Sequence, residues 1–160
     1  GIRVDGRRAG SADTGALGSS LRGFLTAVRP GDYVALLAYL PGTPQHETAM
    51  AALADQVRSW VRAPVTVNMG PRYLHSTGQL HKGGPATGVF VIITVSADSD
   101  IAIPGEAFGF GQLNLAQAEG DYRVLAGLDR RVIRVHLSCP MDMGLEKLSA
   151  CLETDAMASG

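Results

Sequence analysis

Between Pro71 and Pro85 the chain reads PRYLHSTGQLHKGGP, an unbroken run of groups that can do chemistry. Ser76, Thr77 and Gly78 offer hydroxyls and backbone N–H groups to an anion or a sugar oxygen. Gln79 brings a donor and an acceptor together. His75 and His81 can exchange protons near neutral pH. Lys82 is one of only two lysines, set against twelve arginines, so its place beside His81 is distinctive. Gly83 and Gly84 would let the backbone come close to a ligand. Arg72, just ahead, could hold a phosphate bidentately or neutralise a developing enediolate, or be an ordinary surface arginine. The set suits a hydroxylated or phosphorylated small molecule.

Other chemistries fit less well. The two histidines are six apart with no Cys, Asp or Glu in the segment, so no metal site is expected. STGQLHKGG lacks the spacing of a phosphate P-loop. The G-x-S-x-G elbow of a Ser–His–Asp hydrolase is absent. A glycine-rich segment after a strand can also be a plain loop, with its histidines exposed or satisfied by local hydrogen bonds.

The elements that must position this segment follow from hydrophobic spacing. Residues 1–15, GIRVDGRRAGSADTG, read as a linker or flexible arm, and 16–160 as a single α/β domain. Leu17, Leu21, Phe24, Leu25 and Val28 fall at helical spacing. DYVALLAYL is a continuous apolar run, the mark of a strand buried on both faces. Thr43 is a suitable N-cap with Pro44 at the first helical position, followed by an apolar stripe of Met50, Leu53, Val57 and Trp60 to about Arg62. PVTVNM and GVFVIITV read as strands. Residues 96–109 read as a loop. A helix over about 110–125, a strand RRVIRVHL and a last helix bearing Leu145, Leu148 and Leu152 complete the order. Strands are expected near 33–39, 64–68, 89–95 and 131–137. Helices alternating with strands imply a parallel sheet covered on both faces, with ligands at the carboxyl ends of its strands. Residues 75–84 are expected there, converging on a cleft. His46 is expected to be exposed, and His136 semi-buried and satisfied or at an edge. Gln117 and Glu119 are expected in structural roles, Gln117 on the core face of its helix.

With 160 residues, a net charge of −1 and 46% hydrophobic residues, the chain can bury a core and carries no general attraction for nucleic acid or anionic membrane. No apolar run is long enough to span a bilayer. Cys139 and Cys151 read as reduced thiols of a cytoplasmic protein.

GDYVALLAYLP, GPRYLHSTGQLHKGGP, FGFGQLNLAQAEGD and RRVIRVHL together resemble the C-terminal part of bifunctional transaldolase/phosphoglucose isomerases, over about residues 31–137. The resemblance implies a flavodoxin-like three-layer sandwich of the sugar-isomerase (SIS) type. It also implies interconversion of glucose 6-phosphate and fructose 6-phosphate, steps of glycolysis, gluconeogenesis and the pentose phosphate pathway. It assigns ring opening to His81 in preference to His75, although GQLH has one residue more than the family's Gly-Gln-His order. Ser76, Thr77, Gly78, Gln79, Lys82 and Arg72 would bind the sugar phosphate. The proton-shuttling carboxylate has no counterpart before the histidine; Glu106 is the nearest glutamate downstream, and it could equally cap the following helix. The family's phosphate clamp belongs to a first SIS domain. The chain therefore reads as the second SIS domain of a longer polypeptide, docking on the first or forming a homodimer. No cofactor is expected, since fixed donors can stabilise an enediolate. The second reading is a sugar-phosphate-binding SIS domain without turnover.

Overall fold

The computed structural model describes residues 2–6, 14–96, 100–137 and 141–153. Four strands lie where the apolar runs placed them: β2 (Tyr33–Tyr39), β3 (Val65–Met69), β4 (Gly88–Val95) and β5 (Arg131–Leu137). All four run parallel, in the order β3-β2-β4-β5. One expectation needs correction. Residues 2–6 are not a free arm but a strand, β1 (Ile2–Gly6), which pairs antiparallel with β5, Ile2 opposite Leu137. Its Ile-x-Val alternation is short and hidden among Gly and Arg.

The helices are α1 (Thr14–Leu25), α2 (Pro44–Val61), α3 (Thr77–Gly83), α4 (Phe110–Gly127) and α5 (Met141–Glu153). A 3-10 turn, Arg72–His75, precedes α3. Thr43 caps α2 as its sequence required, accepting from the His46 N–H, and Arg62 ends it in the left-handed conformation.

Side-chain alternation divides the buried residues into two clusters. Val34, Leu36, Ala38, Val89, Val91, Ile93, Ile133 and Val135 face α1, α2 and α5. Ala35, Leu37, Tyr39, Phe90, Ile92 and Val132 face α4 and the 3-10 turn. This is the flavodoxin-like three-layer sandwich. Each fully buried aliphatic side chain stabilises it by about 1.5–3 kcal/mol relative to exposure. Because β2 and β4 are covered on both sides, they had to be apolar over nearly their whole length, which is why their runs were continuous. Trp60, expected in the core, is 44% exposed at the end of α2.

The topology fixes where a ligand can sit. From β2 the chain passes through α2 to β3 on one side. It then crosses back on the opposite face to β4 on the other side. Adjacent strands β2 and β4 thus send their outgoing loops apart, leaving a crevice at their carboxyl ends.

Candidate functional site

That crevice is present, as an open cavity of about 880 Å³, within the range of small-molecule sites. Leu40, Pro41 and Gly42 come from the end of β2, Met69 to Arg72 from the end of β3, and Val95 and Ser96 from the end of β4. Asp100, Ile101 and the first turns of α4, including Asn114 and Gln117, form the far wall. Gly42 matters here, because a Cβ would sit 3.4 Å from the Arg72 guanidinium.

Arg72 is the one residue of the expected set that lines this cavity. Its ion pair with Glu47 is 3.4 Å long, and both side chains are well exposed. Such a pair holds a side chain weakly, so the guanidinium can turn to an anion. The N-terminus of α4 meets the cleft already satisfied. Asp100 accepts from the Gly111 N–H at 2.6 Å and the Gln112 N–H at 3.1 Å. It fills the anion position that a helix start offers, and Gly109 has no room for a Cβ because the same carboxylate lies against it.

The other expected residues do not converge on a cleft, and that expectation is corrected. Ser76, Thr77 and Gln79 spend their polar groups locally, on Tyr73 O, Asn68 Oδ1 and Leu74 O. Gly78 is buried against the Tyr73 backbone, where a Cβ would meet the carbonyl at 3.0 Å. His75 is exposed on the 3-10 turn. Glu106 is exposed in the loop before α4 and does not line the cavity; the cap it was expected to supply comes from Asp100. His81 is 4% exposed. It lies towards the opposite, amino end of the sheet, where its Nδ1 is 2.9 Å from the hydroxyl of Tyr33, the first residue of β2. Its ring packs on Phe90 with centroids 5.0 Å apart. Burial lowers its pKa, with Asp121 opposing and Lys82 assisting. A neutral imidazole enclosed by aromatic rings cannot reach a ligand at the carboxyl edge.

The reason is a crossover geometry that loop-like composition concealed. GQLHKG is helical, so α3 carries His81 and Lys82 away from the carboxyl ends and down the α4 face. There Lys82 Nζ is 2.8 Å from Oδ1 of Asp121, whose side chain is 1% exposed. Tyr73 donates a short hydrogen bond to the other oxygen of Asp121, and the Tyr39 and Tyr73 hydroxyls are 3.1 Å apart. Burial and the Asp121 charge push the Tyr73 phenol far up, and burial pushes Tyr39 up to about 12. Asp121 therefore belongs to a closed internal network, and Lys82 is its counter-ion. The sequence signal for it was the second acid of AQAEGD, three residues after the buried Ala118 and four before the buried Leu125.

Two further readings change. Gln117 is half-buried at the cleft wall rather than in the core. His46 is buried, with Nδ1 2.7 Å from Thr43 Oγ1 and 2.8 Å from Pro41 O, so it stiffens the β2–α2 loop. Glu119 pairs with Arg123 and Arg134, a structural role as expected, and Cys151 is half-buried. Cys139 lies outside the described residues. Among the described residues no cluster of His, Cys, Asp or Glu could hold a metal, and no helix is long and apolar enough to cross a membrane.

No family model matches the chain, and no curated protein matches it either. Among solved structures it is similar to a hypothetical protein of Thermus thermophilus, with a TM-score of 0.62 at 19% identity. The match covers 84% of this chain and 36% of that one, so this chain spans about a third of the neighbour's length. At that identity the likeness establishes the fold.

Proposed function

We propose that this domain is the sugar-phosphate-holding portion of a larger cytoplasmic aldose–ketose isomerase of the transaldolase/phosphoglucose isomerase kind. In this reading it binds glucose 6-phosphate or fructose 6-phosphate without turning it over. The observation that carries the reading is the shared placement of Arg72, Asn114 and Gln117 around one open cleft over the switch point of the sheet. Arg72 supplies a guanidinium for the phosphate, and the two carboxamides supply donors and acceptors for sugar hydroxyls. The sequence resemblance supplies the ligand class. The enclosure of His81 and Lys82 favours binding over isomerisation by this domain alone. The carboxylate and the acid–base histidine of the reaction then come from the rest of the assembled protein, a first SIS domain or a second copy.

Calorimetric titration tests this directly. Fructose 6-phosphate should bind the 160-residue chain, and fructose should bind at least tenfold more weakly. Arg72→Ala should weaken fructose 6-phosphate by about tenfold or more, the scale of a lost charge-assisted contact. Equal affinity for fructose and fructose 6-phosphate, or an Arg72→Ala variant that binds normally, refutes the reading.

A further inference from the structure

A second cavity, of about 410 Å³, opens beside the first between α4 and the carboxyl ends of β4 and β5. The sheet face towards α4 is apolar at Phe90, Ile92 and Val132, then turns polar at its upper end. Thr94 and His136 are direct neighbours in the β4–β5 register. Ser96 follows β4 by one residue and lines both cavities.

These three residues form a chain of hydrogen bonds. Ser96 Oγ is 2.9 Å from His136 Nε2, and His136 Nδ1 is 2.9 Å from Thr94 Oγ1. Thr94, 2% exposed, turns its own hydroxyl proton to Val135 O at 3.5 Å. In the tautomer protonated at Nδ1, its oxygen accepts from Nδ1–H. That puts the lone pair on Nε2, where the Ser96 hydroxyl donates to it. An exposed hydroxyl, a base that receives its proton and a group that orients the base make up the constellation of an activated serine. The constellation is recognised by geometry, so the missing G-x-S-x-G elbow does not exclude it. The Arg134 guanidinium lines the same cavity, paired with Glu119. Leu115 and Ala116 give the cavity an apolar wall fit for a short acyl chain.

We propose that Ser96 and His136 form a nucleophilic site that takes short-chain carboxylic esters. Ser96 Oγ attacks the acyl carbon as its proton passes to His136 Nε2. The ester C–O bond then breaks, and His136 returns the proton to the departing alcohol. The product of this half is acyl-Ser96. Water, deprotonated by His136, then cleaves the acyl-serine, giving the acid and restoring Ser96. The group at Nδ1 is a neutral hydroxyl where such sites more often place a carboxylate, so both steps are expected to be slow, with deacylation slower than acylation by an activated ester. The proposal does not depend on the sugar-phosphate reading of the neighbouring cleft.

The test uses p-nitrophenyl acetate with the 160-residue chain. We expect a p-nitrophenolate burst of one equivalent and an acetyl group mapped to Ser96 by peptide mass spectrometry. Ser96→Ala, at an exposed position, should fold normally and lose the burst. His136→Ala should slow acylation by roughly 10²-fold, the usual scale for a lost general base, and added imidazole should restore some of it. Acetylation elsewhere but not on Ser96, a burst that survives Ser96→Ala, or an unchanged rate in His136→Ala overturns the proposal. If His136→Ala fails to fold, acetyl mapping on the native chain and on Ser96→Ala decides the matter alone.

Discussion

Asp32→Asn should destabilise this fold by about 3 kcal/mol at pH 7, an estimate at the low end for breaking a buried ion pair. Asp32 stands immediately before β2 with its side chain 7% exposed. Arg131, the first residue of β5, donates to both carboxylate oxygens, at 2.6 and 2.8 Å, and the Arg29 N–H adds a third bond at 2.7 Å. The same guanidinium reaches Ala27 O and Ala86 O, so one ion pair ties the α1–β2, α3–β4 and β5 segments together at the amino end of the sheet. An asparagine keeps the shape but points an N–H₂ donor at an N–H₂ donor. One arm of Arg131 then loses its acceptor. Because Arg131 is 23% exposed and keeps its two carbonyls, the lower end of the range applies. For a chain of this length that corresponds to a melting temperature lower by roughly 6–12 °C. Acid supplies the sign. The Arg131 hydrogen bonds, helped by the Arg29 N–H and opposed by burial, hold the Asp32 carboxyl below its usual value. Its contribution is therefore present above the unfolded-state pKa of about 3.9 and is lost as pH falls through the depressed folded value. Urea unfolding followed by circular dichroism should show a wild-type advantage that is full at pH 7 and shrinks by pH 3. A gap under 1 kcal/mol at pH 7, or one that widens on acidification, would refute the reasoning.

Two further outcomes follow from the site geometry. Asp100→Ala should lower stability by about 1 kcal/mol through loss of the α4 cap. By freeing two N–H groups and removing a negative charge, it should tighten fructose 6-phosphate binding by about two- to fivefold in calorimetry. His81→Phe should leave fructose 6-phosphate affinity unchanged and stability within about 1 kcal/mol, because the hydrogen bond lost to Tyr33 is offset by removing a buried Nε2 that has no hydrogen-bond partner. Since burial lowers the His81 pKa, wild-type stability should fall as pH drops below about 6.5. The phenylalanine variant should lack that share of the fall, and a parallel pH profile in chemical denaturation would count against the assignment.

The layers of the fold were legible because burial leaves a plain record. VALLAY and VFVII are apolar at every position, and only a strand covered on both faces needs that. The start of α2 was readable in Thr43 and Pro44 because capping is local. Of the site, only its place at the carboxyl ends of the strands and Arg72 were legible, since the rest depends on where the crossovers travel. Helix α3 is seven residues long and rich in glycine, so its sequence looked like a ligand loop while its geometry takes His81 to the far end of the sheet. Asp121 drew no reading from sequence, because its partners Lys82 and Tyr73 are distant along the chain and meet it only in the fold. Ser96, Thr94 and His136 come from two strands that meet only through register, which spacing along the chain cannot reveal. Edge strand β1 escaped for a related reason. With one side unpaired, it had no need of a continuous apolar run.

The pairing of β1 also sets how the sheet answers to load. Its ladder runs antiparallel to β5, so a pull at the Ile2 end acts first on the pair with Leu137 and works back towards Gly6 and Ile133. Under a pull directed away from the sheet edge, the hydrogen bonds open in succession, as in a zip. The parallel strands behind β5 take no share in that peeling. Releasing the five residues of β1 yields about 17 Å of slack at roughly 3.4 Å per residue. A load applied ahead of Ile2 would therefore meet the edge strand before it reached the four parallel strands.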